Sequence, residues 1–212
     1  MDNRYRNIFN NRDDVSKELE EIISSNNFSK DDTILIGISQ GGTYIANILS
    51  KKLGFERDIL LSEHIKAPNN DNVTIAIITE SEDVVIHHEL INSFEIEEDF
   101  IYTQARYKYD EAILNYKYKY RNGEKIIDIT NKRVILIDES VESGFSMYAS
   151  IKSMITLGAK NIYVASPIID RVAYNNLLTI CDGVYSNHKV LNYVSSQYYY
   201  KILEDVDVSE LL

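Results

Sequence analysis

The stretch VILIDESVESGFSM, residues 134–147, gives the strongest indication of the fold. Its four leading apolar residues, 134–137, are typical of a strand that is buried on both faces of a parallel sheet. Asp138 and Glu139 follow directly, so the strand delivers two carboxylates to its carboxyl end. Open α/β sheets bind their ligands at that end. The stretch therefore predicts a ligand site at the end of a central strand.

Residues 143–146, Ser-Gly-Phe-Ser, predict a phosphate-binding loop that opens the next helix. Small hydroxyl residues beside a glycine allow successive N–H groups to converge on one phosphate at a helix start. The two acids would repel that phosphate, so we expect them to accept hydrogen bonds from sugar hydroxyls or to hold a metal. An ordinary strand–loop–helix with solvated acids is the alternative interpretation.

On both sides of this stretch the apolar period alternates between strand and helix, which indicates an α/β fold. Residues 95–120 are charged, rich in tyrosine and only weakly helical, and a turn signal follows at residues 121–123. The pattern predicts helices over residues 13–25, 44–53, 147–155 and 171–179, and strands over residues 33–38, 58–61, 73–78, 84–86, 134–137, 162–165 and near Val184.

A second glycine-rich loop, residues 37–42 (Gly-Ile-Ser-Gln-Gly-Gly), follows the first predicted strand and enters a helix. Glycines at such a place permit close approach of the backbone to a ligand. The loop also contains the Gly-x-Ser-x-Gly string of serine hydrolases around Ser39, and Asp182 and His188 follow in the order of a catalytic triad. A hydrolase normally has several strands and an oxyanion loop before this motif. Few residues precede the strand here, and the sequence contains no His-Gly-Gly stretch, so both features argue against a hydrolase.

Together the two loops resemble the motifs of type I phosphoribosyltransferases. In that family a hydrophobic strand, two acids and a Thr-Gly-x-Thr loop bind phosphoribosyl diphosphate (PRPP), and a Gly-[Ile/Val]-Pro-Arg-Gly-Gly loop binds pyrophosphate. The resemblance extends over nearly the whole chain and is greatest to small bacterial phosphoribosyltransferases. It implies an α/β fold with a central, mostly parallel sheet flanked by helices and a small hood, in one domain over residues 1–212.

The resemblance also implies the site residues. The catalytic acids would be Asp138 and Glu139. The 5′-phosphate would bind at Glu142, Ser143, Gly144, Phe145 and Ser146. The pyrophosphate would bind at Ser39, Gln40, Gly41, Gly42 and His64. Mg²⁺ would be held through PRPP, with the two acids as candidate protein ligands. Residues of about 95–125 would form a mobile hood loop that closes over the site.

The implied activity is transfer of the phosphoribosyl group from PRPP to a nitrogenous base, with release of pyrophosphate. Ser39 and Gln40 stand where the family has proline and arginine, and His64 stands where it has lysine. A cation that would face pyrophosphate is thereby lost. A second interpretation stays open for this reason: a phosphoribosyltransferase fold that binds a nucleotide or PRPP and regulates another process without catalysis.

Composition limits the partners and the compartment. The formal net charge of −11 argues against a nucleic-acid partner. Cys181 is the single cysteine, which excludes a disulfide within the chain, and no apolar stretch approaches the roughly 18 residues of a membrane span. We expect a cytoplasmic protein that binds a small phosphoribosyl ligand and an unidentified base, and that forms a homodimer as relatives often do. His87 and His88 are expected on a strand, as surface residues.

Overall fold

The computed structural model describes residues 5–211. A π-helical turn lies at Tyr109–Ile113, and a 3₁₀ turn lies at Val208–Glu210. No helix in that range combines the length and the apolar character that a membrane crossing requires. In chain order the elements are α1 (Arg12–Ser24), β1 (Thr33–Gly37), α2 (Gln40–Leu53), β2 (Glu56–Ile59), β3 (Ser62–Ala67), β4 (Asn70–Thr79), β5 (Val84–Ile86), α3 (His88–Ser93), α4 (Glu98–Lys108), α5 (Leu114–Arg121), β6 (Arg133–Ile137), α6 (Phe145–Thr156), β7 (Asn161–Ala165), β8 (Ile168–Asp170), α7 (Arg171–Leu177), β9 (Gly183–Tyr185), β10 (His188–Val190) and α8 (Ser196–Tyr199).

The central sheet has five parallel strands in the order β2-β1-β6-β7-β9. β6 lies in the middle, and its four apolar residues are fully buried. Alternate side chains of β1 and β6 enter two different cores: one packs against α1 and α2, and the other against α6 and α7. Helices on both faces explain why β6 reads as a continuous apolar run. The predicted α/β class with a parallel central sheet is confirmed.

A second, antiparallel sheet, β3-β4-β5, lies beside the central one. The strand predicted over residues 58–61 corresponds to β2, which ends at Ile59, whereas β3, which begins at Ser62, was not predicted. Only Ile65 and Ala67 of β3 are buried, so its polar residues concealed the strand pattern.

The segment that resembles a mobile hood loop, about residues 95–125, is instead helical from Glu98 to Arg121. Ile101, Ala105 and Ile113 are buried in the core over the small sheet. Their spacings of four and eight residues are those of one helix face. The opposite face is rich in exposed tyrosines, which weakened the helical pattern in the sequence.

Arg121 fixes the end of this helical segment to the edge of the central sheet. Its guanidinium donates to Glu80 and lies 3.6 Å from Asp58 Oδ2. The side chains of Arg121, Asp58 and Glu80 are only 9%, 9% and 3% exposed. Leu61 N donates to Glu80 and Ile127 N donates to Asp58. Burial raises the pKa of Glu80, and the Arg121 charge opposes that rise.

Replacing Arg121 with methionine should lower the free energy of unfolding by about 3–5 kcal/mol, because two buried carboxylates lose their counterion. The loss should be smaller at pH 5 than at pH 8, because protonation relieves a buried acid whose pKa in the folded state is raised. Urea unfolding at the two pH values measures both effects.

Arg106→Met is the matched control, since Arg106 lies on the exposed face of the same helical segment. Its effect should stay within about 0.5 kcal/mol. Equal losses in the two variants would show that the Arg121 ion pairs do not anchor the segment.

Candidate functional site

The two acids after β6 open a cavity of about 610 Å³ at the carboxyl edge of the central sheet. Its walls come from the segment after β6, from the β3–β4 hairpin and from a C-terminal segment with Tyr193 and Ser196. Among the expected site residues, the structure brings seven more together with the acids: Ser39, His64, Glu142, Ser143, Gly144, Phe145 and Ser146.

The carboxyl group of Asp138 is joined to the first glycine-rich loop. Its Oδ1 accepts hydrogen bonds from Ser39 Oγ at 2.5 Å and from Glu139 N at 2.8 Å. Part of the residue faces the cavity, but the carboxyl group is enclosed, and this burial raises the pKa of Asp138 to about 7. The Glu139 charge adds to the rise, whereas the two hydrogen bonds oppose it. Asp138 therefore exchanges a proton near neutral pH.

Glu139 is held by both ends of the chain. Arg12 Nε, in the first turn of α1, donates to Glu139 Oε2 at 2.7 Å, and the two side chains are 12% and 17% exposed. A Cβ atom on Gly41 would lie 1.9 Å from the same oxygen, so a glycine is needed to leave room for the carboxylate. Near the C-terminus, Tyr200 Oη donates to the Glu139 carbonyl at 2.8 Å.

The loop after Glu139 makes a tight turn that leads into the start of α6. Gly144 adopts φ 79°, the left-handed region that favours glycine, and α6 begins at Phe145. Backbone hydrogen bonds join Val141 to β8 and anchor the first half of the loop. Glu142 and Ser143 are exposed, so the third acid of the loop is solvated.

His64 approaches this loop from the opposite wall of the cavity. Its Nε2 lies 3.4 Å from Ser146 Oγ, and its Nδ1 lies 3.2 Å from Thr74 Oγ1. Burial lowers the pKa of His64, and the charge of nearby Lys66 lowers it further. The imidazole is therefore mostly neutral at pH 7. It connects the loop with the β3–β4 hairpin by hydrogen bonds.

The remaining residues of the first loop lie outside the large cavity. Gly42 packs against the last carbonyl of β6, which a Cβ atom would approach to 2.2 Å, and Gly41 faces Glu139. Gln40 lines a neighbouring cavity of about 200 Å³ that two tyrosines of α5 also line. Ser39 lines both cavities and caps α2, because its Oγ accepts from Gly42 N at 2.9 Å.

A cluster of three hydroxyl groups beside the acids was missed by the sequence analysis. Tyr193 Oη donates to Ser140 Oγ at 2.7 Å, and Ser196 Oγ lies 2.7 Å from Ser140 Oγ. Ser140 directly follows the two acids in residues 134–147, so the sequence could have indicated it as a site residue. No motif marks Tyr193 or Ser196. His87 was expected on a strand at the surface; it lies after β5, just before α3, and lines the cavity.

Similarity to known proteins identifies the family of the chain. The family described as phosphoribosyl transferase domain matches residues 5–194. The chain belongs to this family.

Solved structures show the same fold. TT1426 from Thermus thermophilus matches with a TM-score of 0.76 and 19% identity, over 96% of this chain and 95% of that one. The AQ2163 protein from Aquifex aeolicus matches with a TM-score of 0.52 and 6% identity, over 88% of this chain and 78% of that one. At these identities the likeness extends to the fold alone.

The serine hydrolase interpretation of this phosphoribosyl transferase domain is wrong. Ser39 Oγ donates to Asp138 rather than to a histidine. His188 Nε2 lies 3.5 Å from Glu18 Oε2, and Asp182 Oδ2 accepts from a backbone N–H of β7 at 2.7 Å. Within residues 5–211, no hydrogen bond joins Ser39, Asp182 and His188, so they form no triad.

The acid pair of this phosphoribosyl transferase domain fits a magnesium ion only as part of a larger ligand shell. Mg²⁺ prefers oxygen ligands and usually takes one or two carboxylates together with substrate phosphates and water. In the described part of the chain, no three or more His, Cys, Asp or Glu side chains are grouped so that they could hold a metal. Asp138 and Glu139 each use one carboxylate oxygen to bind Ser39 and Arg12, respectively.

The raised pKa of Asp138 predicts a specific dependence of stability on pH. The folded state binds the proton more tightly than the unfolded chain, whose aspartate pKa is about 4. Stability from this group is thus complete at low pH and is lost as the pH rises toward about 7. The difference in unfolding free energy between the wild type and Asp138→Asn should therefore change between pH 5 and pH 8, in favour of the variant at pH 8.

Urea unfolding in magnesium-free buffer measures that difference. Because both proteins contain the other titrating groups, such as His64, the contributions of these groups to the pH dependence cancel. A difference that stays constant from pH 5 to pH 8 would contradict a raised Asp138 pKa.

Gly42→Ala should lower the free energy of unfolding by about 1–3 kcal/mol, because the new methyl group would overlap a backbone carbonyl that cannot rotate away. Alanine favours a helix by up to about 1 kcal/mol over glycine, so any net loss reports the contact with β6. Gly183→Ala is the control, since its nearest atom is a tyrosine ring carbon at 3.2 Å that can shift. An equal or smaller loss for Gly42→Ala than for this control would contradict the close packing.

Proposed function

We propose that this protein is a magnesium-dependent phosphoribosyltransferase that takes PRPP and a nitrogenous base and releases pyrophosphate. The observation that carries the proposal is the cavity in which the acid pair at the end of β6 and the loop before α6 line one space with Ser39 and His64. In the reaction, the bond between ribose C1′ and the pyrophosphate oxygen breaks and its electron pair leaves with pyrophosphate. A bond forms from a nitrogen of the base to C1′, and the proton of that nitrogen passes to solvent.

The 5′-phosphate binds at residues 142–146 in this proposal. The loop leads into a helix of twelve residues, whose first N–H groups carry partial positive charge. Ser143 and Ser146 add hydroxyl donors, and Gly144 allows the tight left-handed turn. Exposure of Glu142 supports this assignment, because a solvated carboxylate opposes a phosphate less than a buried one.

The ribose lies over Asp138 and Glu139 in this proposal. Each carboxylate accepts a hydrogen bond from a ribose hydroxyl, and together they stabilise the positive charge that develops at the ribosyl centre as pyrophosphate leaves. Arg12 and Ser39 hold the two carboxylates in position, so little reorganisation is required during the reaction. Hydroxyl donors of the ribose favour the ionised form of Asp138, and ligand binding should therefore release a proton near pH 7.

Pyrophosphate faces the start of α2 in this proposal, at Ser39, Gln40, Gly41 and Gly42, with His64 on the opposite wall. Bound magnesium would neutralise charge on the leaving pyrophosphate. The acceptor base would occupy the space next to the ribose, and the helical hood segment would shield it from water. A homodimer and a single-domain organisation also belong to this proposal.

Calorimetric titration with PRPP tests the proposal. Wild-type protein should bind PRPP when Mg²⁺ is present, and Asp138→Asn should bind it at least about tenfold more weakly, because a charge-assisted hydrogen bond is lost. Titration in two buffers of different ionisation enthalpy should reveal more proton release in the wild type than in Asp138→Asn.

Asp110→Asn is the control of equal charge, since Asp110 is exposed on the helical hood segment. Loss of binding in both variants, or no PRPP binding by the wild type, would overturn the proposal. Binding without turnover on any base would instead favour the regulatory, non-catalytic form of the same fold.

A further inference from the structure

The large cavity is rich in negative charge. Asp138, Glu139 and Glu142 line it, and no lysine or arginine among residues 5–211 does so. A phosphorylated ligand adds further negative charge. Backbone N–H groups at a helix start offer only about half a unit of positive charge. A phosphate held here would therefore be stabilised by a full cation close to the loop.

Lys66 is a cation that reaches the wall of this cavity. Its Nζ donates to Thr74 Oγ1 at 2.8 Å, and Thr74 lines the cavity. The same hydroxyl lies 3.2 Å from His64 Nδ1. The other ring nitrogen of His64 lies 3.4 Å from Ser146 Oγ in the phosphate loop. A chain of polar contacts thus leads from the ammonium group to the loop.

An irregularity in the β3–β4 ladder produces the contact between Lys66 and Thr74. Ile65 pairs with Ala76, so a regular antiparallel register would pair Lys66 with Ile75. Ile75 is fully buried, and its side chain offers no hydrogen bond. The register shift between Ile65 and Lys66 pairs Lys66 with Thr74 instead. Directly opposed residues of an antiparallel pair have adjacent side chains, so the shift brings the lysine to the cavity wall.

Lys66 is also not neutralised by a neighbouring acid. None of the ion pairs within the described residues involves it, whereas nearby Lys108 is paired with Glu63 at 3.1 Å. His64 does not replace it as a charge, because burial favours the neutral imidazole. The exposed Lys66 side chain has a flexible stem of four methylene groups, so its ammonium can move from Thr74 to a ligand.

We propose that Lys66 is the phosphate-binding cation of this cavity. Thr74, which also contacts His64, holds the ammonium group at the cavity wall, and the group moves from there to pair with the phosphate at residues 143–146. The inference rests on the proposed function, since it takes a phosphoribosyl compound as the ligand.

Calorimetric titration with ribose 5-phosphate and with PRPP, both in Mg²⁺, tests the assignment. Lys66→Gln should weaken binding of both compounds about tenfold, the lower end expected for loss of a charged hydrogen bond. Lys66→Arg should retain most of the affinity, because it keeps the charge. Thr74→Val should cause a smaller loss than Lys66→Gln, and affinity should depend less on salt in Lys66→Gln than in the wild type.

Lys51→Gln is the matched control, because Lys51 is exposed near the C-terminal end of α2, roughly 16 Å along that helix from its first residue. It should bind both compounds as the wild type does. Equal affinity of Lys66→Gln and wild type would overturn this inference and leave the proposed function intact. A loss confined to PRPP would overturn the assignment to the 5′-phosphate. Failure of the wild type to bind either compound would overturn both proposals.

Discussion

The first turn of α2 lies against the end of β6, and the site depends on this close approach. Three glycines permit it. A Cβ atom on Gly37 would lie 2.5 Å from Thr43 Cα, one on Gly41 would meet the Glu139 carboxylate, and one on Gly42 would meet a β6 carbonyl. The hydroxyl of Ser39 caps α2 and also donates to Asp138. Gly41 and Gly42 are required by the packing of α2 against Glu139 and the end of β6, whether or not their amides also bind a ligand.

Glu139, the second acid, is positioned by contacts with segments near both ends of the chain. Phe9 and Tyr200 form a β-bridge, and Lys201 N donates to the Phe9 carbonyl at 2.9 Å. Arg12 lies three residues after Phe9, and its side chain donates to both the Glu139 carboxylate and the Glu204 carbonyl. The Arg12–Glu139 contact thus joins residues that lie 127 positions apart in the chain. A partly buried ion pair of this kind positions the carboxylate more than it stabilises the fold.

The sequence predicted the features that follow from burial and missed those that follow from tertiary contact. A parallel strand covered on both faces must be apolar throughout, so residues 134–137 were correctly predicted as a central strand, with Asp138 and Glu139 at its carboxyl end. β3 was missed because it buries only two of its six residues; His64 lines the large cavity, and Ser62 and Glu63 line the smaller one. A mobile hood loop was expected from the family resemblance, and the tyrosines on the exposed face weakened the helical pattern that argued against it. Tyr193 and Ser196 could not be found, since only folding brings them to Ser140.

In the proposed function, the balance of charge in the cavity allows an acidic protein with a net charge of −11 to bind an anion. Enclosure raises the pKa of Asp138 to about 7, so this group carries only part of a negative charge in the ligand-free cavity at neutral pH. Arg12 neutralises Glu139, and solvent screens Glu142. The loop amides therefore face less negative charge than the three carboxylates suggest. In the two proposals, the ribose hydroxyls of the ligand favour the carboxylate form of Asp138, and its phosphate is bound by the start of α6 and by Lys66.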